Sequence, residues 1–181
     1  MTAHWRGTAL SAMRLAMLSA LIETRDDEEG LARTLASLVG GAVEGVVRDV
    51  VVCDAGSADG TRAVAEHAGC AIAPDLAAGI ARAKGDWLLM LEPGARLAEG
   101  WVDEAVAHMA KFAMPARFSR APGSRAPFLS RAFRRPSALF QGLLIRKQQA
   151  AILARKAQDA EALARGLAMR TLAAEIWPRG R

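Results

Sequence analysis

The 181-residue chain contains no tyrosine, and aromatic residues make up only 5% of it. A base-stacking surface rich in aromatic rings is therefore excluded, and helices must pack closely through small side chains. There are two cysteines, Cys53 and Cys70, both in apolar surroundings. Two buried thiols form neither a disulfide framework nor a Cys-based metal site, and they fit a reducing cytosol. No apolar run reaches the length that crosses a bilayer, so any membrane contact is expected to be peripheral, at the inner face of the cell membrane. The first 24 residues mimic a secretory signal, but Arg14 interrupts them and acids follow directly, so residues 15–22 read as a buried strand. Acid is also scarce, in one half only. Residues 1–110 hold 9 Lys/Arg against 16 Asp/Glu, and residues 111–181 hold 15 against 3. A basic second part suits an anionic partner, such as a phosphate or a lipid head group, or a solvated Arg-rich helix face.

What is present is a 52% hydrophobic chain, long enough to bury one sizeable core. Residues 15–23 form a short apolar run. The charged stretch 24–30 follows, and then Leu31, Leu35 and Leu38 recur at helical spacing, with Asp26 or Asp27 as the cap. Three consecutive valines, Val50 to Val52, mark a strand covered on both faces, and residues 59–69 read as a helix closed by Gly69. A brief strand at 70–73, a short helix at 76–83, a strand at 86–92 stopped by Pro93 and Gly94, and a helix from Trp101 continue the alternation. Alternating strands and helices predict a three-layer α/β/α fold with a mostly parallel sheet, whose binding crevice lies at the carboxyl ends of the strands. Asp54 and Glu92 stand at two such ends. Residues 112–137 read as a basic loop region in which Arg117, Arg120, Arg125, Arg131, Arg134 and Arg135 alternate with prolines. A last strand is expected within 138–147 and one long amphipathic helix over 148–177, dividing the chain into a nucleotide-binding domain, 1–147, and a basic helical tail, 148–181.

The turn after the valine run, Asp-Ala-Gly-Ser-Ala-Asp-Gly-Thr from Asp54 to Thr61, is the most informative stretch. It lacks the G-x-G-x-x-G of a dinucleotide loop. An aspartate-nucleophile phosphotransferase would need its nucleophile where Ser57 stands. The stretch instead resembles the Asp-x-Gly-Ser-x-Asp-Gly-Thr segment of family 2 glycosyltransferases, and residues 18–38 look like that family's first strand and its Pro-Thr-x-Asn-Glu-Glu loop, with Glu23 in place of the Pro. The likeness runs from about residue 15 to residue 101, with an echo at 140–147.

The resemblance implies a GT-A, Rossmann-like fold and transfer of a sugar from a UDP- or GDP-linked donor. Thr24, Asp26, Asp54, Gly56 and Ser57 would cradle the base and ribose. The residues agree with this. Asp54 can accept from a base N–H or a ribose hydroxyl, Gly56 admits a close ligand, and Ser57 or Asp59 can cap the next helix. Simple helix capping is the competing reading for Thr24 and Asp26, and for Ser57, Asp59 and Gly60 it is that they merely shape the turn.

Two departures from the family stand out. Its Asp-x-Asp, which holds a divalent metal such as Mg or Mn against the diphosphate, reads Glu92-Pro93-Gly94 here, leaving Glu92 as the one candidate ligand. A catalytic base is also missing: no Asp or Glu lies between Glu104 and Asp159, and Phe140 stands where relatives carry an acid. Arg96, Arg117 or Arg146 could stabilise a departing diphosphate without metal, and an acceptor that is already an anion, such as a lipid phosphate, needs no base. The alternative is an inactive homologue that binds a nucleotide, a partner protein or an anionic membrane; nucleic acid is disfavoured for want of aromatics. His67 and His108 read as ordinary helix residues.

Overall fold

The computed structural model describes residues 17–122 and 137–179. β1 (Leu18–Thr24) is the centre of the sheet's parallel half. Its odd and even positions face opposite sides, and nearly all are buried, because helices cover both faces. The chain then alternates through α1 (Glu28–Val43), β2 (Val47–Asp54), α2 (Thr61–His67), β3 (Ala71–Ala73), α3 (Leu76–Arg82) and β4 (Trp87–Leu91). Asp27 caps α1 by accepting from Gly30 N–H at 3.0 Å, and Glu28 and Glu29 occupy its first turn, where the helix dipole favours them.

Eight strands form one sheet in the order β3-β2-β1-β4-β7-β6-β8-β5. β3, β2, β1 and β4 are mutually parallel, with Thr24 level with Asp54 and Ile22 level with Leu91. β7 (Leu143–Arg146) is antiparallel to both β4 and β6 (Ala116–Arg120). β8 (Arg170–Trp177) runs parallel to β6 and antiparallel to the two-residue β5 (Arg96–Leu97). The expected α/β layering holds, and the sheet is parallel over its first half and mixed over its second.

Two apolar layers flank the sheet. On one face Leu18, Ala20, Ile22 and Leu89 meet Leu31 and Leu38 of α1, Ala65 of α2, and Trp101 and Ala105 of α4 (Trp101–Lys111). On the other Leu21, Val51, Cys53, Leu88 and Met90 meet Ile80 of α3, Ala150 of α5 (Lys147–Leu153) and Leu163 of α6 (Ala160–Ala164). All five β4 side chains are buried, and each large apolar one contributes about 1.5–3 kcal/mol.

The expected long helix over 148–177 is corrected. The segment breaks into α5, α6 and β8, and β8 pairs into the sheet. Leu172 and Ile176 point inward four residues apart, a spacing that both a helix and a strand satisfy, while Gly166 at φ 79° and the Asp159 cap of α6 interrupt any continuous helix. β6 likewise lies in what reads as loop; Arg125, Arg131, Arg134 and Arg135, like Arg14, fall outside the described residues.

Small residues set the spacing of the second layer. Gly79 of α3 lies against Cys53, and a methyl added there would collide with the Cys53 sulfur. Gly79→Ala is therefore expected to cost about 1–3 kcal/mol in denaturant unfolding, despite alanine's better helix propensity. Cys53→Ala in the same chain is expected to restore most of that loss; a double variant no more stable than Gly79→Ala would contradict this packing.

Candidate functional site

The chain leaves β1 toward β2 on one side and returns to β4 on the other, so the topological switch lies at the carboxyl end of β1. Three segments meet there: the loop after β1 (residues 24–28), the loop after β2 (54–61) and the turn after β4 (92–95).

The first two are laced together. Ala55 N–H donates to Thr24 O at 3.2 Å, Asp26 N–H to Ser57 Oγ at 2.9 Å, and Asp27 N–H to Thr61 Oγ1 at 3.0 Å. In return Asp26 Oδ1 accepts from Ala58 N–H at 2.7 Å, and Asp59 Oδ2 accepts from Glu28 N–H at 3.3 Å. Asp26 reaches these partners with φ 50°, the left-handed region that aspartate tolerates better than most residues. Asp54 Oδ1 accepts from the Ser57 N–H at 3.0 Å and the Ser57 hydroxyl at 2.6 Å. Asp54 Oδ2 has no partner among the described residues, on a half-buried side chain. Gly56 adopts φ 87° and has open space over its Cα. A rigid carboxylate with one free oxygen, beside an uncovered turn, can accept two hydroxyls or an N–H from a ligand.

Thr24, Asp26, Asp54, Gly56 and Ser57 thus come together as the sequence suggests, although Asp26 and Ser57 are engaged in joining the loops. Ser57 does not cap the following helix: it bonds Asp54, and Gly60 occupies the cap position without a side-chain bond. Asp59 Oδ1 accepts from Thr61 N–H at 2.9 Å, and hydrogen bonding to Thr61 holds its carboxyl below the usual range. Thr24 Oγ1 is buried and has no hydrogen-bond partner among the described residues.

The turn after β4 is anchored on α1. Gly94 N–H donates to Gly30 O at 2.8 Å, and the buried Thr34 hydroxyl lies 2.9 Å from Gly94 N. Glu92 is half-buried, and its carboxylate has no partner among the described residues. Arg96 is exposed on β5, its guanidinium 5.7 Å from the Trp177 ring centroid. Asp27 Oδ2 faces Arg179 Nη2 at 2.8 Å. No group of three or more His, Cys, Asp or Glu side chains among the described residues could share a cation. A hard divalent ion wants about six oxygens, so a lone Glu92 carboxylate beside Pro93 and Gly94 does not fit the Mg or Mn site of the resemblance.

Glu23, on the opposite face from Thr24, accepts a hydrogen bond from Ala160 N–H at the start of α6. Burial raises its carboxyl above the ordinary 4.5, the Ala160 bond opposes this, and Asp159 and Asp75 add to it. Burial, with smaller help from Glu23 and Asp75, pushes the Cys53 thiol up to about 12, which leaves it inert as a nucleophile.

Two of the candidate arginines lie elsewhere. Arg146 pairs with Trp87, at the opposite end of β4 from Glu92, and lies 5.0 Å over the Trp87 ring. Arg117 is exposed beside Thr171 on β6. Arg146 is thus separated from the Asp54 edge by the length of β4. His67 sits on α2 with Nδ1 2.8 Å from Ala63 O; His108 is buried on α4, stacked on Phe112 at 5.3 Å. Both are structural. Reading the sequence alone misses Arg179 and the Glu23–Ala160 contact, because both depend on the fate of residues 148–179.

No family model and no curated protein matches the chain. Solved structures do. Glucosyl-3-phosphoglycerate synthase from Mycobacterium tuberculosis, in complex with Mn2+, UDP and phosphoglyceric acid, superposes with a TM-score of 0.62 at 16% identity, over 97% of this chain and 75% of that one. The same enzyme with Mn2+ and UDP-glucose gives 0.62 at 15%, with the same coverage. S. aureus TarS 1–349 gives 0.63 at 15%, over 87% of this chain and 57% of that one. At such identities the likeness establishes the fold, which is that of the GT-A glycosyltransferases.

Because Glu23 binds its proton more tightly folded than unfolded, its contribution to stability is full below about pH 4.5 and is lost as pH rises through its higher folded value. Glu23→Gln keeps an acceptor for Ala160 N–H and removes the charge. It is expected to raise the urea midpoint at pH 7 and leave it nearly unchanged at pH 4; an equal shift at both would contradict a titrating Glu23.

Proposed function

We propose that the chain binds a nucleoside diphosphate sugar at the carboxyl edge of its sheet and transfers the sugar to an acceptor. The reading rests on one observation above the others: Asp54, fixed through Oδ1 by Ser57, with Oδ2 unpartnered among the described residues at the switch point of a GT-A fold. In this reading Thr24, Asp54 and Gly56 hold the nucleoside, Asp26 and Ser57 keep the two loops in register, and Glu92 and Arg96 border the diphosphate. UDP is the first choice of nucleotide, since the M. tuberculosis synthase was crystallised with UDP and UDP-glucose; GDP is the second.

The acceptor half of the sheet shapes the chemistry. No Asp or Glu lies between Glu104 and Asp159, and Phe140, at the position of the expected base, packs under Arg120 with the guanidinium 4.9 Å from its ring. A neutral hydroxyl acceptor would have nothing there to take its proton. An acceptor that is already an anion, a phosphate on a small molecule or on a lipid, removes that requirement. The same absence favours the second reading, a homologue that binds the nucleotide without turning the sugar over. No helix among the described residues is long and apolar enough to cross a membrane, and the tail helix expected to lie on a lipid surface does not form.

Calorimetry with UDP, GDP and their sugars tests the donor site. UDP or GDP is expected to bind, and Asp54→Ala to weaken that binding about tenfold or more, the worth of hydrogen bonds to a charged group. No binding of any nucleotide by the parent protein would overturn the reading. Binding with no release of sugar to phosphorylated acceptors or water would select the non-catalytic homologue.

A further inference from the structure

β8 ends at Trp177, level with Arg96, and the chain continues through the buried Pro178 to Arg179 across the turn that follows β4. There Arg179 lies on Gly94. A methyl built on Gly94 would stand 3.0 Å from Arg179 Cγ and 3.6 Å from its Cα, and the Gly94 backbone is at φ 91°. A side chain at position 94 is thus disfavoured twice, by the neighbour and by the backbone. Gly94 is the position two residues beyond Glu92, where the second carboxylate of a metal-holding pair would have to stand. The same small patch that lacks a carboxylate is occupied by a guanidinium stem.

The head of Arg179 is fixed as well. Its Nη2 is 2.8 Å from Asp27 Oδ2 on a carboxylate only 17% exposed, while the Arg179 side chain itself is 54% exposed. Asp27 Oδ2 accepts no aligned hydrogen bond among the described residues, so the contact is a charge pair. Asp27 is tied in turn to the site, since its N–H donates to Thr61 Oγ1 and its Oδ1 caps α1. The ends of β8 and β4 and the start of α1 therefore hold a permanent cation, Arg179, at the rim that Asp54 borders.

We infer that Arg179 is a diphosphate-binding residue of this chain, engaging the donor's phosphates where a metal-dependent relative would place a divalent ion. The inference rests on the donor-site reading above. A guanidinium is charged at every working pH and matches two phosphate oxygens at once, so it stabilises both the bound diphosphate and the charge that develops when the sugar departs.

The test compares uridine, UMP and UDP on the full chain by ligand-observed NMR and calorimetry, in EDTA, for the parent protein, Arg179→Ala and Arg179→Lys. UDP is expected to bind the parent protein more tightly than uridine and to be indifferent to EDTA. Arg179→Ala is expected to weaken UDP about tenfold to a hundredfold while leaving uridine unchanged, and Arg179→Lys to recover part of the loss. Unchanged uridine binding shows that the variants are folded at the site. An unaltered UDP-to-uridine ratio in Arg179→Ala, or UDP binding that EDTA abolishes in the parent protein, overturns the role of Arg179 and leaves the donor site standing. Failure of the parent protein to bind uridine, UMP or UDP overturns both.

Discussion

Five hydrogen bonds between the loops that follow β1 and β2 determine what this molecule can present to a ligand. Parallel neighbours β1 and β2 bring the loops side by side, but only these bonds fix their height and angle relative to each other. Without them the Asp26 backbone, at φ 50°, would have nothing to hold it there, and the α1 N-terminus would lose its seat against Thr61. The polar residues of the Asp54–Thr61 turn are thus largely structural in their direct contacts. They leave one oxygen, Asp54 Oδ2, without a partner among the described residues.

The charge distribution follows a similar division. The acidic first part places its carboxylates at helix starts and loop junctions, where backbone N–H groups use them: Asp27 on α1, Asp75 on α3, Asp59 before α2. Several arginines of the second part lie over aromatic rings. Arg120, Arg146 and Arg170 each lie over an aromatic ring, as does Arg96 of the first part, over Trp177. Arg179 differs, because it is paired with Asp27 at the mouth of the crevice.

Much of the first hundred residues was legible from sequence because each element there carries a local signal. The valine run, the Asp27 cap, the Pro93–Gly94 stop and the spacing of Leu31 and Leu38 all act over a few residues and agree with the final fold. Asp54, Thr24 and Gly56 could be singled out for the same reason. Residues 148–179 were not legible. Their alanine-rich composition favours helix locally, whereas the parallel edge of β6 draws residues 170–177 into the sheet through pairing that no local window contains. Arg146 illustrates a different limit: chemistry can nominate an arginine, but the antiparallel register of β7 sends it to the wrong end of β4.

The fold, the switch point and the open turn at Gly56 converge on one claim, that this edge of the sheet receives a nucleotide. A crystal structure of the protein grown with UDP addresses it most directly. The account predicts the nucleoside against Thr24, Asp54 and Gly56, with the diphosphate directed toward Gly94. A nucleotide seated anywhere else, with that crevice empty, would contradict it.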